Sequence, residues 1–143
     1  MKKILIPEIE TQSIDEIKAF QFELLKNTLE YVKTNSLFYQ NHFKKHNIDI
    51  NQIQSVEDLQ KIPPITKKEL QAFNKDFWCV HQDKLIDYCN TSGTEGQPVT
   101  IPLSAKDMDR LAYNEAISLS CSGATDSDIF QLMTTVDRRF IAG

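Results

Sequence analysis

Apolar residues recur every three or four positions near the start of the chain. Ile17, Phe20, Leu24, Thr28 and Tyr31 follow one another at helical spacing, and Ile14, Leu25 and Val32 widen the stripe. Ser13-Ile14-Asp15-Glu16 precedes them as a capping box, in which serine and glutamate satisfy orphan N–H groups reciprocally. The pattern predicts a helix from Ile14 to Lys33, broken at Asn35-Ser36. A shorter helix is expected from Leu37 to His46, with Tyr39 and Phe43 on one face. Ser55-Val56-Glu57-Asp58 reads as another helix start, stopped by Ile62-Pro63-Pro64, because each proline ring fixes φ and disfavours helix in the residue before it. Thr66-Lys67-Lys68-Glu69 is a second capping box, opening a helix through Phe73.

In the second half the period shortens. Leu85 to Cys89 suits a short buried strand, Asn90 to Pro98 a turn-rich loop, and Val99-Thr100-Ile101 another strand ended by Pro102. Ser104-Ala105-Lys106-Asp107 caps a helix whose apolar positions are Met108, Leu111, Ala112, Ile117 and Leu119, with Gly123 as its C′ residue. Ile129 to Thr135 reads as a further strand. The order strand–loop–strand–helix–strand fits part of an α/β sheet. The expected fold class is therefore α/β, with a mainly helical region over 1–80 leading into the first strands and helix of an α/β domain over 81–143. With so few strands and no following helix to cover them, that domain reads as incomplete at its C-terminus.

Composition narrows the function classes. The chain has 143 residues, with 16 Lys and Arg against 20 Asp and Glu, so no basic excess advertises a nucleic-acid surface. No stretch approaches the about 20 consecutive apolar residues that span a bilayer, and the apolar run after Met1-Lys2-Lys3 is too short for a signal peptide. A cytoplasmic protein is expected, with no nucleic-acid and no membrane partner. Cys79, Cys89 and Cys121 are odd in number, widely spaced and without a C-x-x-C pair. They read as buried small apolar residues rather than as a disulfide framework or a metal knuckle.

The segment that carries chemistry is Thr91-Ser92-Gly93-Thr94-Glu95-Gly96-Gln97-Pro98. Glycine lets the backbone approach a ligand closely, and successive N–H groups in such turns form a concave anion nest. Hydroxyls add donors, so the segment holds the materials for gripping phosphate oxygens. A Walker A loop is excluded by spacing: only two residues separate Gly93 from Gly96, no Lys-Ser/Thr follows, and the next element reads as a strand. On composition alone an ordinary Ser/Thr-rich β-turn is the competing reading.

The segment resembles the phosphate-binding signature of adenylate-forming enzymes, and most of all that of the phenylacetate–coenzyme A ligase group, which reads hydroxyl-Ser-Gly-Thr-Thr/Ser-Gly-Lys-Pro at this point. Upstream, Leu59-Gln60-Lys61-Ile62-Pro63-Pro64-Ile65-Thr66-Lys67-Lys68-Glu69-Leu70 is similar to the group's Leu-Pro-x-(Leu/Thr)-x-Lys-x-(Asp/Glu)-Leu segment. Asn35-Ser36-Leu37-Phe38-Tyr39 resembles one of its helix turns, and Gly123 with Asp126 and Asp128 its Gly-x-x-x-x-Asp entry to the next strand. The resemblance implies an ATP-dependent ligase that activates a carboxylic acid as an acyl-adenylate, with Mg2+ assisting, and passes the acyl group to coenzyme A or another thiol. By the same resemblance Thr91, Ser92, Gly93, Thr94, Glu95 and Gly96 form the nucleotide-binding loop, within 91–98. Glu95 stands where the group has a hydroxyl, and Gln97 where it commonly has lysine. A carboxylate beside triphosphate is repulsive unless a cation intervenes. The group's adenine and ribose motifs, acyl pocket and lysine-bearing small domain are not found in these residues. No catalytic residue or protein-held metal is therefore assigned, and the chain alone is expected to be inactive as a ligase.

The remaining candidates read as structural. His42 and His46 are spaced i, i+4, but without a glutamate after the first histidine or a third ligand they are expected as surface histidines. Lys67-Lys68 is expected on a solvated helix start. Arg138-Arg139 is either solvent-facing at a strand end or a bidentate contact for an anion. Trp78, Phe73 and Phe77 are expected in the core. The alternative function is a non-catalytic interaction or oligomerisation module. Its apolar helix face would pack on a partner or on a second copy of the chain as a homodimer.

Overall fold

The computed structural model describes residues 6–91 and 98–131. The chain divides into two compact units, Gln12–Asp83 and a second formed by Met1–Thr11 with Lys84–Gly143.

The first unit is helical. Helix α1 spans Ile14–Asn35 and α2 spans Leu37–Lys45, close to the bounds that the apolar spacing predicts. Both oxygens of the Ser13/Glu16 capping box are in place, with Glu16 Oε2 accepting from the Ser13 N–H at 2.9 Å and from its hydroxyl at 2.6 Å. A single residue, Ser36, joins the two helices. Its N–H closes α1 on the Val32 carbonyl at 2.9 Å, and its Oγ accepts from the Tyr39 N–H at the start of α2. The same hydroxyl donates to the Asp76 carbonyl at 2.8 Å, and Ser36 is fully buried. Helix α2 ends in a Schellman motif: Ile48 N–H bonds the Phe43 carbonyl, Asn47 N–H bonds Lys44, and Asn47 takes the left-handed conformation at φ 53°.

Leu29, Phe43, Ile50 and Ile53 form the core of this unit, with Leu25, Val32, Tyr39, Ile48 and Ile62 against it. Beside it, the Phe38 and Phe77 rings stack with centroids 3.8 Å apart. Helix α3, Lys67–Ala72, opens at the predicted capping box, where Glu69 Oε2 accepts from Thr66 N–H and Oγ1.

Several expectations in this unit are corrected. The element after Ser55 is a 3-10 turn over Glu57–Lys61 rather than an α-helix. The stretch before Pro63 is too short to complete hydrogen-bonded α-turns, and Asp58 is spent on the Gln54 N–H at 2.8 Å. His42 is not a surface histidine. It is buried, four residues after Phe38 on the same helix face, stacked on that ring with Nε2 3.0 Å from the Pro63 carbonyl. Phe73 is half exposed rather than core, while Phe77 and Trp78 are partly buried. The α1 stripe is only partly covered: Leu29 is buried, but Ile14, Phe20, Leu24 and Tyr31 stay exposed. Lys67 and Lys68 are exposed, as expected.

The second unit holds strand β1, Leu85–Asn90, strand β2, Thr100–Ser104, and helix α4, Ala105–Cys121. The strands pair antiparallel, with Asn90 opposite Thr100, Cys89 opposite Ile101 and Tyr88 opposite Pro102. Strand β2 does not stop at Pro102. Antiparallel pairs alternate between bonded and non-bonded rungs, and Thr91 already bonds Val99. Pro102 therefore falls on a non-bonded rung, where a missing N–H costs nothing. Ser104 ends the strand and caps α4, whose Asp107 Oδ2 accepts from Ser104 N–H and Oγ. The predicted Gly123 is the C′ residue at φ 88°, with Ala124 N–H on the Leu119 carbonyl and Gly123 N–H on Ser120.

The strand expected from Ile129 is not seen at its start. Ile129, Phe130 and Gln131 are neither helix nor strand, and the rest of the expected strand lies outside the described residues, as does Arg138-Arg139. Just upstream, Asp128 Oδ2 accepts from the Thr125 N–H and Oγ1, which closes a local turn. Cys121 is exposed and not a buried apolar residue, while Cys79 and Cys89 are half-buried. Among the described residues no helix is long and apolar enough to cross a membrane.

Candidate functional site

The phosphate-loop segment is carried on the β1–β2 hairpin. β1 leads into it and β2 leads out of it, so it links two strands and is not a strand-to-helix turn. Of the six loop residues expected to bind nucleotide, the structure places Thr91. Ser92, Gly93, Thr94, Glu95 and Gly96 lie outside the described residues, as does Gln97.

The mouth of the segment is built from four residues. Thr91 N–H donates to the Val99 carbonyl at 3.0 Å. In return, Val99 N–H donates to Thr91 Oγ1 at 3.0 Å. One rung further into the hairpin, Thr100 Oγ1 donates to Asn90 Oδ1 at 2.8 Å. The sequence reading did not single out Asn90 and Thr100. The available signal was a polar residue at the last position of one strand and the first of the next, on opposed non-bonded positions where side chains approach most closely.

The charge around the segment is negative or neutral. Between Leu85 and Ser104 the sequence carries no lysine or arginine, and two carboxylates, Asp87 and Glu95. Within this stretch the groups able to donate to an anion are N–H groups, hydroxyls and side-chain amides. Downstream, the Ser104 hydroxyl and then its N–H hold the Asp107 carboxyl below its usual range, so α4 keeps a charged cap.

Other chemistry-bearing groups are accounted for by the fold. Burial pushes the Cys79 thiol up, which keeps it protonated and poorly nucleophilic. Desolvation, and then proximity to Cys79, raises the Tyr39 phenol. A shallow cavity of about 160 Å³ lies beside α2 and α3, walled by Phe38, His42, Lys45, Glu69 and Phe73. Two of its polar groups already serve the backbone, His42 at Pro63 and Glu69 at Thr66. Among the described residues no group of three or more His, Cys, Asp or Glu side chains could hold a metal ion.

No protein-family model matches the chain. It is 31% identical over 121 residues to phenylacetate–coenzyme A ligase of Escherichia coli (strain K12), an alignment covering 84% of this chain and 28% of that protein. The phenylacetate–coenzyme A ligase of Aromatoleum evansii is 29% identical over 125 residues, 87% of this chain and 28% of its own length. The chain thus spans little more than a quarter of the length of the curated relatives it matches. A crystal structure of 2-hydroxyisobutyryl-CoA ligase with 2-HIB-AMP and CoA, in the thioesterification state, superposes with a TM-score of 0.72 at 21% identity. It covers 81% of this chain and 28% of that one. An open conformation of the same ligase gives a TM-score of 0.74 at 19% identity, over 84% and 31% of the two chains. The sequence is similar to the phenylacetate–coenzyme A ligase group, and the fold is similar to the corresponding part of adenylate-forming ligases.

Proposed function

We propose, with the likeness to phenylacetate–coenzyme A ligases as premise, that this chain supplies the triphosphate-gripping hairpin of an ATP-dependent carboxylate-activating ligase. In this reading residues 81–143 begin the nucleotide-binding α/β domain and residues 1–80 form its helical lead. A carboxylate oxygen of the acid attacks the α-phosphorus of ATP, the bond to the β-phosphate breaks, and pyrophosphate leaves with the charge. A thiol, that of coenzyme A, then attacks the acyl carbon and AMP departs.

The hairpin's part is electrostatic. Thr91, Ser92, Gly93, Thr94, Glu95 and Gly96 line the β- and γ-phosphates, and neutral donors fixed beforehand stabilise the charge that gathers on pyrophosphate. The described residues offer no protein cage for a metal. Mg2+ would accordingly arrive as the triphosphate's counter-ion, with most of its ligands from phosphate and water, neutralising charge there.

The observation that carries this reading is the strand–loop–strand placement of a hydroxyl- and glycine-rich segment. It is tested by titrating the isotope-labelled chain with MgATP. The amide resonances of Thr91, Val99 and Thr100 are expected to shift, while those of α1 stay put. No shift, or a shift confined to 12–83, would refute it. With ATP, a panel of carboxylic acids and coenzyme A, the 143-residue chain should release no pyrophosphate above background, because it spans so little of the ligases it resembles. Stoichiometric turnover would show that a complete active site is present.

A second reading is favoured by the exposed apolar residues of α1, Ile14, Phe20 and Leu24. As a non-catalytic module the chain would associate through that face, with a second copy as the simplest partner. Sedimentation across a concentration series, with Phe20→Asp as the disrupting variant, decides it: a concentration-independent monomer rules out the homodimer.

A further inference from the structure

We infer that Asn90 and Thr100 are positioning residues for the phosphate loop, acting through the rung formed by Thr91 and Val99. This inference rests on the nucleotide-binding reading of the hairpin. It assigns Thr91 a structural duty that its place in the loop motif does not disclose.

At the last paired positions of an ordinary hairpin, opposed residues exchange two backbone bonds. Here only one bond of the Thr91–Val99 rung is of that kind, from the Thr91 N–H to the Val99 carbonyl. The other runs from the Val99 N–H to the hydroxyl of Thr91 instead of its carbonyl. The Thr91 side chain is thereby committed to the mouth, and its carbonyl is released from the ladder. Its hydroxyl still has a proton to donate. A rung completed by a side chain has a rotatable χ1 in it, so it needs lateral support. The Asn90–Thr100 pair gives that support, one residue inward on both strands, with a 2.8 Å hydrogen bond between partly buried side chains. Both strands are thus tied side chain to side chain immediately before the segment that is to hold the anion.

The functional consequence is preorganisation. A binding loop whose two ends are held at one separation gives up less conformational freedom on binding. The hairpin has no lysine or arginine with which to make up for a loose geometry. The affinity of such a site for phosphate oxygens depends on how well its neutral donors are fixed.

The test compares Thr100→Val, which keeps the shape and deletes the hydroxyl, with Thr100→Ser, which keeps the hydroxyl. Two quantities are read on the full chain: amide hydrogen exchange at Thr91 and Val99, and MgATP affinity by titration. One lost side-chain hydrogen bond of about 1 kcal/mol corresponds to about a fivefold change in an equilibrium. Thr100→Val is expected to speed exchange at both amides about fivefold and to weaken MgATP by a similar factor. Thr100→Ser should restore both, and exchange in the middle of α4 should not change with either variant. Unchanged exchange at Thr91 and Val99 would overturn the clamp. Faster exchange with unaltered MgATP affinity would show a clamp that positions nothing, and would also overturn the inference. If the unaltered chain binds no MgATP, the nucleotide reading falls and the positioning role with it, while the exchange data still report whether the mouth is held. Loss of protection throughout α4 in Thr100→Val, with Thr100→Ser normal in exchange but weakened for MgATP, would count against it as well.

Discussion

Replacing Ser36 by alanine should destabilise the helical unit far more than one hydroxyl on a surface helix would. The side chain performs two tasks at one atom. As the N-cap of α2 its Oγ accepts from the Tyr39 N–H, a role worth about 1 kcal/mol. As a donor it satisfies the Asp76 carbonyl at 2.8 Å, from a residue with no exposed surface. Alanine removes that bond from a fully buried position, at about 1–3 kcal/mol. The volume change is one oxygen atom, so no sizeable cavity is added. The sum is about 2–4 kcal/mol, and for a unit of this size each kcal/mol moves Tm by about 4–8 °C. Urea and thermal unfolding, followed by circular dichroism and by the fluorescence of Trp78, the chain's single tryptophan, give the number directly. Ser13→Ala is the control, since Ser13 also caps a helix but on the surface. It should cost about 1 kcal/mol. If Ser36→Ala costs no more than Ser13→Ala, the argument from the buried hydroxyl is wrong.

His42→Phe keeps a ring against Phe38 and removes the nitrogen that meets Pro63; it should cost about 1–2 kcal/mol in the same unfolding assay, and no loss would mean the Pro63 contact is idle. The N-terminus of α4 should be acid-sensitive. Asp107 is held below its ordinary value, so its stabilisation is complete above about pH 4 and is lost as pH falls through the lowered folded value. A carboxyl titration by NMR with the onset of amide exchange at Ala105–Asp107 checks this, and Ser104→Ala should abolish the acid-dependent step while costing about 1 kcal/mol at neutral pH. Glu95→Thr should tighten MgATP binding or leave it unchanged, because it removes a like charge beside the triphosphate. Weaker binding only when magnesium is present would instead make Glu95 a metal partner.

The parts of this fold that were legible in the sequence are those decided within four or five residues. The three capping boxes depend on a hydroxyl and a carboxylate three positions apart, and all three form. Gly123 was legible because a Schellman end needs a positive φ and glycine reaches it freely. What failed was decided by partners distant in sequence. Whether Pro102 ends a strand depends on which rung it lands on, and that register is set by β1. Whether His42 is surface or core depends on Pro63, twenty-one positions away, although its i, i+4 relation to Phe38 marks the apolar face. The sequence marks Ser36 as a helix breaker within a family-like helix turn; its partner Asp76 is forty positions away and is not marked by it.

The same distinction bears on the candidate site, where the motif is a matter of residue type and the hydrogen bonding a matter of strand pairing. Hydroxyls, glycines and an exit proline make Thr91 to Gly96 a candidate phosphate grip by residue type, and the family resemblance is what sets it apart from an ordinary Ser/Thr-rich turn. Which hydroxyl bonds the backbone and which remains for a ligand is a matter of strand pairing. Thr91 illustrates the point: its Oγ1 is the acceptor that completes the rung with Val99. Any sequence comparison that scores Thr91 against serine as an interchangeable phosphate donor treats it as a ligand group. The hairpin geometry makes the hydroxyl a backbone substitute first, so the substitution that matters there is one that removes the oxygen, such as Thr91→Val, rather than one that merely trims the methyl group.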